Sequence, residues 1–148
     1  MIKCAVFKLA HLDLIEVSPE DAKSIDLNIG ILQQANRTGG VVTVQYKGRV
    51  LYIAGHYELH EGVHEVFLIP SLYLKDHPVI AHRSVKRWIA EIIRTEKQVH
   101  RLQTLSLATP ERDAWMRSLG FVYEGTHRYY TKEGDDWSSW GIVNGVRS

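Results

Sequence analysis

A short helix that ends on a glycine and leads directly into a strand constrains the fold more than any other feature of the chain. It lies near the C-terminus and runs Thr109-Pro-Glu-Arg-Asp-Ala-Trp-Met-Arg-Ser-Leu-Gly-Phe121. Thr109 is a competent helix cap, and Pro110 suits the first helical position. Gly120 stands where a helix most often ends through a residue of left-handed conformation. The pattern predicts a helix–turn–strand unit of an α/β domain.

The first half of the chain is predicted to contain a strand, one helix and three consecutive strands. Residues 2–7 alternate weakly as a strand, and Ser18 begins a helix that extends to about Asn36. Lys47-Gly48 is a hairpin turn between two β-branched and aromatic runs. The three strands are Val41–Tyr46, Arg49–Tyr57 and Val63–Ile69.

The second half alternates helices and strands. Residues 71–77 form a loop, and a long helix begins at Asp76-His77-Pro78 with an apolar stripe of helical period. Strand Leu102–Leu107, the helix that ends at Gly120 and the hairpin of Phe121–Thr131 with Trp137–Val143 complete the chain. This order predicts an α/β fold in which a mixed central sheet carries helices on both faces, as a single domain over residues 1–148.

Composition excludes several classes of protein. The net charge near +1 argues against nucleic-acid binding, although Arg83, Lys86, Arg87, Arg94 and Lys97 lie along one predicted helix. A single cysteine, Cys4, cannot form an internal disulfide and fits a cytoplasmic protein. No apolar run approaches the roughly 20 residues that span a bilayer, so we expect no membrane partner.

The order of elements resembles the GNAT superfamily of acyl-CoA-dependent N-acyltransferases over essentially the whole chain. The Leu119-Gly120-Phe121 exit carries the resemblance, together with Gly55, which falls where the third strand of that family commonly has a glycine. The usual second helix of the first half is missing or merged. The resemblance implies an N-acetyltransferase that transfers an acetyl group from acetyl-CoA to an amine.

The same resemblance implies a place for the cofactor. In the family, the strand matching Val63–Ile69 is splayed from the strand matching Leu102–Leu107, and acyl-CoA enters the notch between them. Backbone groups of Phe67, Leu68 and Ile69 would bond the pantetheine arm. The pyrophosphate would lie on backbone N–H groups at the start of the next helix.

The phosphate loop departs from the family pattern, because the chain has no glycine between Ser71 and Trp88. Arg83, Lys86 and Arg87 share one helix face and are predicted to hold the phosphates with their side chains instead. A solvated basic face is the alternative interpretation. Ser84 and Thr109 complete the predicted cofactor-binding residues.

The catalytic positions also depart from the family. A tyrosine four residues before the glycine, which can protonate the departing thiolate, is replaced by Met116. Tyr123 is the predicted substitute acid, with Tyr129 and Tyr130 as alternatives. For the general base, the candidates are Glu58, Glu65 and His60.

His56, Glu58 and His60 alternate along one strand and so project from one face. Two histidines and a carboxylate are known metal ligands, which makes a metal site one interpretation of the triplet. Polar residues on a half-exposed strand are the default interpretation, and no metal is predicted.

A more specific similarity leaves a second function open. Lys75-Asp-His-Pro-Val, Arg83-Ser-Val-Lys-Arg-Trp-Ile and Trp115-Met-Arg-Ser-Leu-Gly-Phe look like the small GNAT-like proteins of tailed bacteriophages. The alternative is therefore a catalytically inactive phage protein that acts as a virion, assembly or host-interaction module. The predicted partners are acyl-CoA with a small-molecule or protein amine acceptor, and either a second copy of the chain or a phage or host protein.

Overall fold

The computed structural model describes residues 1–144, apart from the side chain of Leu27, and contains one mixed sheet of seven strands with four α-helices. Residues 145–148 of the predicted domain lie outside the described residues. The sheet order is β1-β2-β3-β4-β5-β7-β6. In chain order the elements are β1 (Ile2–Val6), α1 (Pro19–Leu27), α2 (Ile29–Arg37), β2 (Val41–Tyr46), β3 (Arg49–His60), β4 (Val63–Pro70), α3 (Pro78–Thr95), β5 (Arg101–Leu107), α4 (Pro110–Ser118), β6 (Val122–His127) and β7 (Trp137–Val143).

Contacts within the chain define two compact units. The first comprises Met1–Tyr57 and Val66–Ser84, and the second comprises Glu58–Glu65 and the chain from Val85 onward. A single domain over the whole chain stays a prediction. No helix of residues 1–144 is long and apolar enough to span a membrane.

The β2–β3 hairpin confirms the predicted turn. Lys47 and Gly48 both have positive φ, of 51° and 78°. Two successive residues of that kind match the right-handed twist of the strands that they join, and glycine adopts this conformation without strain. The turn sets the antiparallel register in which Tyr46 pairs with Arg49.

The single long helix predicted from Ser18 to Asn36 is wrong, because the chain forms two helices that meet at Asn28. The Asn28 amide nitrogen Nδ2 donates to the Ser24 carbonyl at 2.8 Å, and its backbone N–H donates to the carbonyls of Ser24 and Ile25. Its backbone, at φ −114° and ψ 16°, leaves the helical conformation. The second helix of the first half is therefore present, contrary to the prediction that it is missing or merged.

In the first unit, helices cover both faces of the sheet. One face contributes Ile53 to a buried cluster that includes Leu32 and Ala35 of α2. Tyr52, the preceding residue of β3, points to the opposite face and bonds to Ser84 of α3. The two predicted helix layers are thus present around these strands.

In the second unit, β5 lies between a parallel and an antiparallel neighbour. The parallel ladder with β4 covers Val63–Glu65 and Arg101–Gln103, while β7 pairs with β5 along its whole length. Trp140 of β7 is fully buried, and its indole N–H donates to the Ser106 hydroxyl at 2.9 Å.

The last hairpin is shorter than predicted. β6 ends at His127 rather than at Thr131, because Tyr129 adopts a left-handed φ of 56°. The backbone N–H of Tyr130 then donates to the Asp135 carbonyl at 2.8 Å, within the turn around Gly134.

Candidate functional site

The C-terminal half of β4 holds the residues predicted to contact pantetheine. Phe67, Leu68 and Ile69 are half-buried, and Phe67 and Ile69 pack against the core of the first unit. Gly55 of β3 lies under the Phe67 ring, where a Cβ atom would come within 2.4 Å of Phe67 Cζ. A side chain at position 55 would therefore have to displace the Phe67 ring, and this close packing accounts for the glycine noted in the sequence.

The segment between β4 and α3 forms a closed turn rather than the predicted loop. Leu72–Asp76 form a 3₁₀ helix, and the Ser71 hydroxyl accepts from the Leu74 N–H and donates to the Leu51 carbonyl. Ser71 is thus the N-cap of this 3₁₀ helix, and its hydroxyl satisfies one of the free N–H groups of the first turn.

Most backbone N–H groups of this connection are already bonded. The N–H of Ser71 donates to Leu51 at 3.1 Å, and that of Leu72 donates to the Glu16 carbonyl at 2.7 Å. The N–H groups of Leu74 and His77 donate within the turn itself. Pro70 and Pro78 have no N–H to offer.

The three predicted phosphate-binding cations lie on one face of α3. Arg83, Lys86 and Arg87 are exposed, and within residues 1–144 none of them forms an ion pair. Further along the helix, Arg94 pairs with Glu91.

Ser84, also predicted to contact the cofactor, uses its hydroxyl inside the protein. The Ser84 Oγ and Tyr52 Oη are 2.6 Å apart. Tyr52 is almost wholly buried, and this burial raises the pKa of Tyr52 to about 12.

Thr109 caps α4, as the sequence predicts. Its hydroxyl accepts from the Arg112 N–H at 3.2 Å, and Pro110 follows at the first helical position. Met116 of α4 is buried. It stands at the position that carries a tyrosine in the family, and here its side chain is part of the hydrophobic core.

The candidate bases lie on adjoining strands of the second unit. Glu58 and His60 are exposed at the end of β3, and Glu65 is half-buried and pairs in register with Gln103. In the described part of the chain, no three histidine, cysteine, aspartate or glutamate side chains are placed to hold a metal ion. The structure therefore does not bring His56, Glu58 and His60 together as a ligand set.

The candidate acid Tyr123 lies on β6 beside Trp140. Its hydroxyl is 2.5 Å from the Thr126 hydroxyl, and its ring meets Trp140 edge-on at 5.5 Å. Tyr129 and Tyr130 are exposed in the turn beyond β6.

A polar network on β5 and β6 was not predicted from the sequence. Arg101 donates to both carboxylate oxygens of Glu124, at 2.9 and 2.5 Å, and also to Gln103. The hydrogen bonds from Arg101 lower the pKa of the Glu124 carboxyl. The only sequence signal was that Arg101 and Gln103 alternate on one strand, because Glu124 lies 23 residues away.

Comparison with solved structures shows the fold of the chain. A GNAT-family acetyltransferase from Bacillus anthracis superposes with a TM-score of 0.73 at 11% identity, over 97% of this chain and 95% of that one. The ribosomal-protein-S18-alanine N-acetyltransferase from Escherichia coli superposes with a TM-score of 0.67 at 14% identity, over 100% of this chain and 97% of that one. The Microcin C7 self-immunity acetyltransferase, in complex with acetyl-CoA and AMP, superposes with a TM-score of 0.69 at 11% identity, over 96% of this chain and 92% of that one.

No protein-family profile matches the sequence, and no curated protein does. The likeness is thus one of architecture. It extends over nearly the full length of the chain and of each solved structure. The chain therefore has the acyl-CoA N-acyltransferase fold of the GNAT superfamily.

Proposed function

We propose that the protein is an N-acetyltransferase that transfers an acetyl group from acetyl-CoA to an amine. The observation that carries this proposal is the fold, which 96% of the chain shares with an acetyltransferase structure that holds acetyl-CoA. The structural neighbours support acetyl-CoA as the co-substrate. The acceptor is an amine carried by a small molecule or by a protein.

In this proposal, β4 and α3 hold the donor. Backbone groups of Phe67, Leu68 and Ile69 bond the pantetheine arm; they follow Glu65, the last β4 residue in the ladder with β5. The side chains of Arg83, Lys86 and Arg87 hold the phosphates, and Ser84 and Thr109 are further contacts. The exposure of the three cations supports this assignment.

The chemistry requires a base for the amine and an acid for the thiolate. The amine nitrogen attacks the thioester carbon, the carbon–sulfur bond breaks and a carbon–nitrogen bond forms. Glu65 or Glu58 accepts the amine proton, and Tyr123 returns a proton to the coenzyme A sulfur. The half-buried position of Glu65 favours it over the exposed Glu58.

Titration calorimetry with acetyl-CoA, followed by assay of free thiol release with a panel of amines, tests the proposal. We expect binding at micromolar acetyl-CoA and a transfer rate that falls roughly 100-fold in Glu65→Gln. The matched control is Glu61→Gln, at an exposed carboxyl in the turn before β4. Absence of binding at millimolar acetyl-CoA would contradict the proposal.

A binding module without catalysis is the second candidate. Its support is that Met116 is buried where the family has a tyrosine, and that four N–H groups between β4 and α3 donate to carbonyls of the chain. Binding of acetyl-CoA without thiol release for any amine would favour it. A phage origin, a virion or host-interaction role, a second copy as partner and a cytoplasmic location stay predictions.

A further inference from the structure

A cavity of about 190 Å³ lies beside the β2–β3 hairpin, wholly within the first unit. Three parts of the chain form its walls: the segment before α1, the hairpin itself and the turn that follows β4. None of the six side chains that give the cavity its chemistry has a part in the proposed acetyl transfer. They are Leu14, Glu16, Gln45, Arg49, Val50 and Tyr73.

The guanidinium of Arg49 is the cation of this cavity. It lies 4.2 Å from the centroid of the Tyr73 ring, which is buried and packs edge-on against His77 at 4.7 Å. Stacking on a ring that is itself held in place keeps the guanidinium against one wall. Within residues 1–144 the guanidinium donates no hydrogen bond. Its N–H groups can therefore bind a carboxylate in bidentate form.

The carboxylate of Glu16 supplies the opposite charge. Its Oε2 atom lies 3.9 Å from Arg49 Nη2, which is longer than a hydrogen bond, and the two side chains are 72% and 55% exposed. An exposed pair at this separation contributes little to folding, so both charges can turn to a ligand at small cost. In the part of the chain that the structure describes, the Glu16 carboxylate accepts no hydrogen bond. An ammonium group can donate to it.

An irregularity in the hairpin adds a neutral polar group. The β2–β3 register shifts between Val44 and Gln45, so that Val44 pairs with Tyr52 whereas Gln45 pairs with Val50. A bulge of this kind changes the direction of neighbouring side chains. Gln45 lines the cavity in a half-buried position. Its amide can accept from an ammonium or donate to a carboxylate.

The apolar part of the wall and the volume limit the size of the ligand. Val50 is buried, and Leu14 presents a largely exposed side chain at the cavity. A cavity of about 150 Å³ holds benzene, whereas a drug-sized ligand needs about 300 Å³ or more. At about 190 Å³, this cavity admits a small molecule with one aliphatic group and is too small for a nucleotide.

We propose that this cavity binds a free aliphatic amino acid as its zwitterion. The carboxylate of the ligand accepts from the N–H groups of Arg49. The ammonium donates to Glu16 and Gln45. The aliphatic side chain packs against Leu14 and Val50.

The two opposite charges on the wall favour a ligand that carries both. A simple carboxylate would face the negative charge of Glu16, and a simple amine would face the positive charge of Arg49. The inference does not rest on the proposed acetyl transfer. An ammonium held by a carboxylate has no lone pair with which to attack a thioester, so the cavity is a binding site separate from the transfer chemistry.

Titration calorimetry of the full chain with leucine and two matched probes tests the inference. Isocaproate is leucine without its amino group, and isoamylamine is leucine without its carboxylate. Arg49→Gln and Glu16→Gln each remove one charge from the cavity, and Arg37→Gln, at an exposed arginine of α2, is the control. Urea unfolding confirms that each variant is folded, and acetyl-CoA is titrated separately.

We expect leucine to bind roughly tenfold more tightly than either probe, and Arg49→Gln and Glu16→Gln each to weaken leucine binding roughly tenfold. Arg37→Gln should bind leucine as the wild type does. Isocaproate or isoamylamine binding as tightly as leucine would overturn the inference. No binding of leucine at millimolar concentration, or unchanged binding in both cavity variants, would also overturn it. The proposed function stands or fails on the separate acetyl-CoA titration.

Discussion

The guanidinium of Arg101 and the carboxylate of Glu124 join β5 to β6 across the intervening strand β7, directly over Gly141. A Cβ atom at Gly141 would lie 2.7 Å from Glu124 Oε2 and 2.8 Å from Arg101 Nη1. Glu124 lies at the irregularity where the β6–β7 register shifts between Tyr123 and Gly125. The ion pair therefore depends on a position without a side chain in the strand that it crosses.

Replacement of Gly141 by alanine should separate this ion pair. Because both contacted atoms end flexible side chains, we expect the free energy of unfolding to fall by only about 1 kcal/mol, the worth of the pair. Urea unfolding measures the change. In a Glu124→Gln background, Gly141→Ala should lower the free energy of unfolding by less than it does in the wild type. An equal loss in both backgrounds would show that the substitution disturbs the backbone rather than the ion pair. Gly30→Ala in α2, with no atom within 4 Å, is the control for the loss of a glycine.

The stability of the protein should depend on Glu124 in acid. The bonds from Arg101 lower the pKa of Glu124 below its ordinary value of 4.5. The contribution of the pair is therefore complete above that value and is lost as the pH falls through the lowered pKa of the folded state. We expect Glu124→Gln to remove about 0.5–1 kcal/mol at neutral pH and to flatten the acid limb of stability against pH.

Urea unfolding at a series of pH values checks this expectation. Glu61→Gln should follow the wild-type profile, since Glu61 is an exposed turn residue. An acid limb that is equally steep in Glu124→Gln would contradict the role assigned to the pair.

Gly55→Ala should displace Phe67 and weaken donor binding. The added Cβ would lie 2.4 Å from Phe67 Cζ and 3.0 Å from the Gly40 carbonyl oxygen. We expect a loss of about 1–3 kcal/mol in unfolding free energy from overpacking, together with weaker binding of acetyl-CoA. Combination with Phe67→Leu should recover part of the stability, because the smaller side chain vacates the contact. No recovery would assign the cost to the Gly40 carbonyl.

The hydrogen bond between Tyr52 and Ser84 should contribute to stability through the buried phenol. Ser84→Ala leaves the Tyr52 hydroxyl without this partner, at a cost of about 1–3 kcal/mol. The double variant Tyr52→Phe/Ser84→Ala removes both polar groups and should recover most of that loss in urea unfolding. If the double variant is as unstable as Ser84→Ala, the bond is not the cause.

The elements that the sequence predicts well carry their signal locally. Lys47-Gly48 predicts the β2–β3 turn because left-handed backbone favours glycine, and Thr109 with Pro110 predicts the start of α4 because cap and first turn are adjacent in sequence. The break at Asn28 has no such signal. The apolar stripe continues through it with helical period, so only the bonds that Asn28 makes to Ser24 reveal it.

The hydrogen bonds around the candidate site could not be predicted from the sequence. The exposed face of Arg83, Lys86 and Arg87 follows from helical spacing. The bonded N–H groups before α3 do not, because their acceptors Glu16 and Leu51 are remote in sequence. The ion pair of Arg101 with Glu124 could not be predicted for the same reason, because the two residues are 23 positions apart in the sequence.

A crystal structure of the full chain with acetyl-CoA tests the central claim most directly. The account predicts density for the pantetheine arm along the backbone of Phe67–Ile69, with the phosphates at Arg83, Lys86 and Arg87. The turn from Leu72 to Asp76 should keep its internal bonds. Acetyl-CoA bound away from β4, or no density for it at a saturating concentration, would contradict the account.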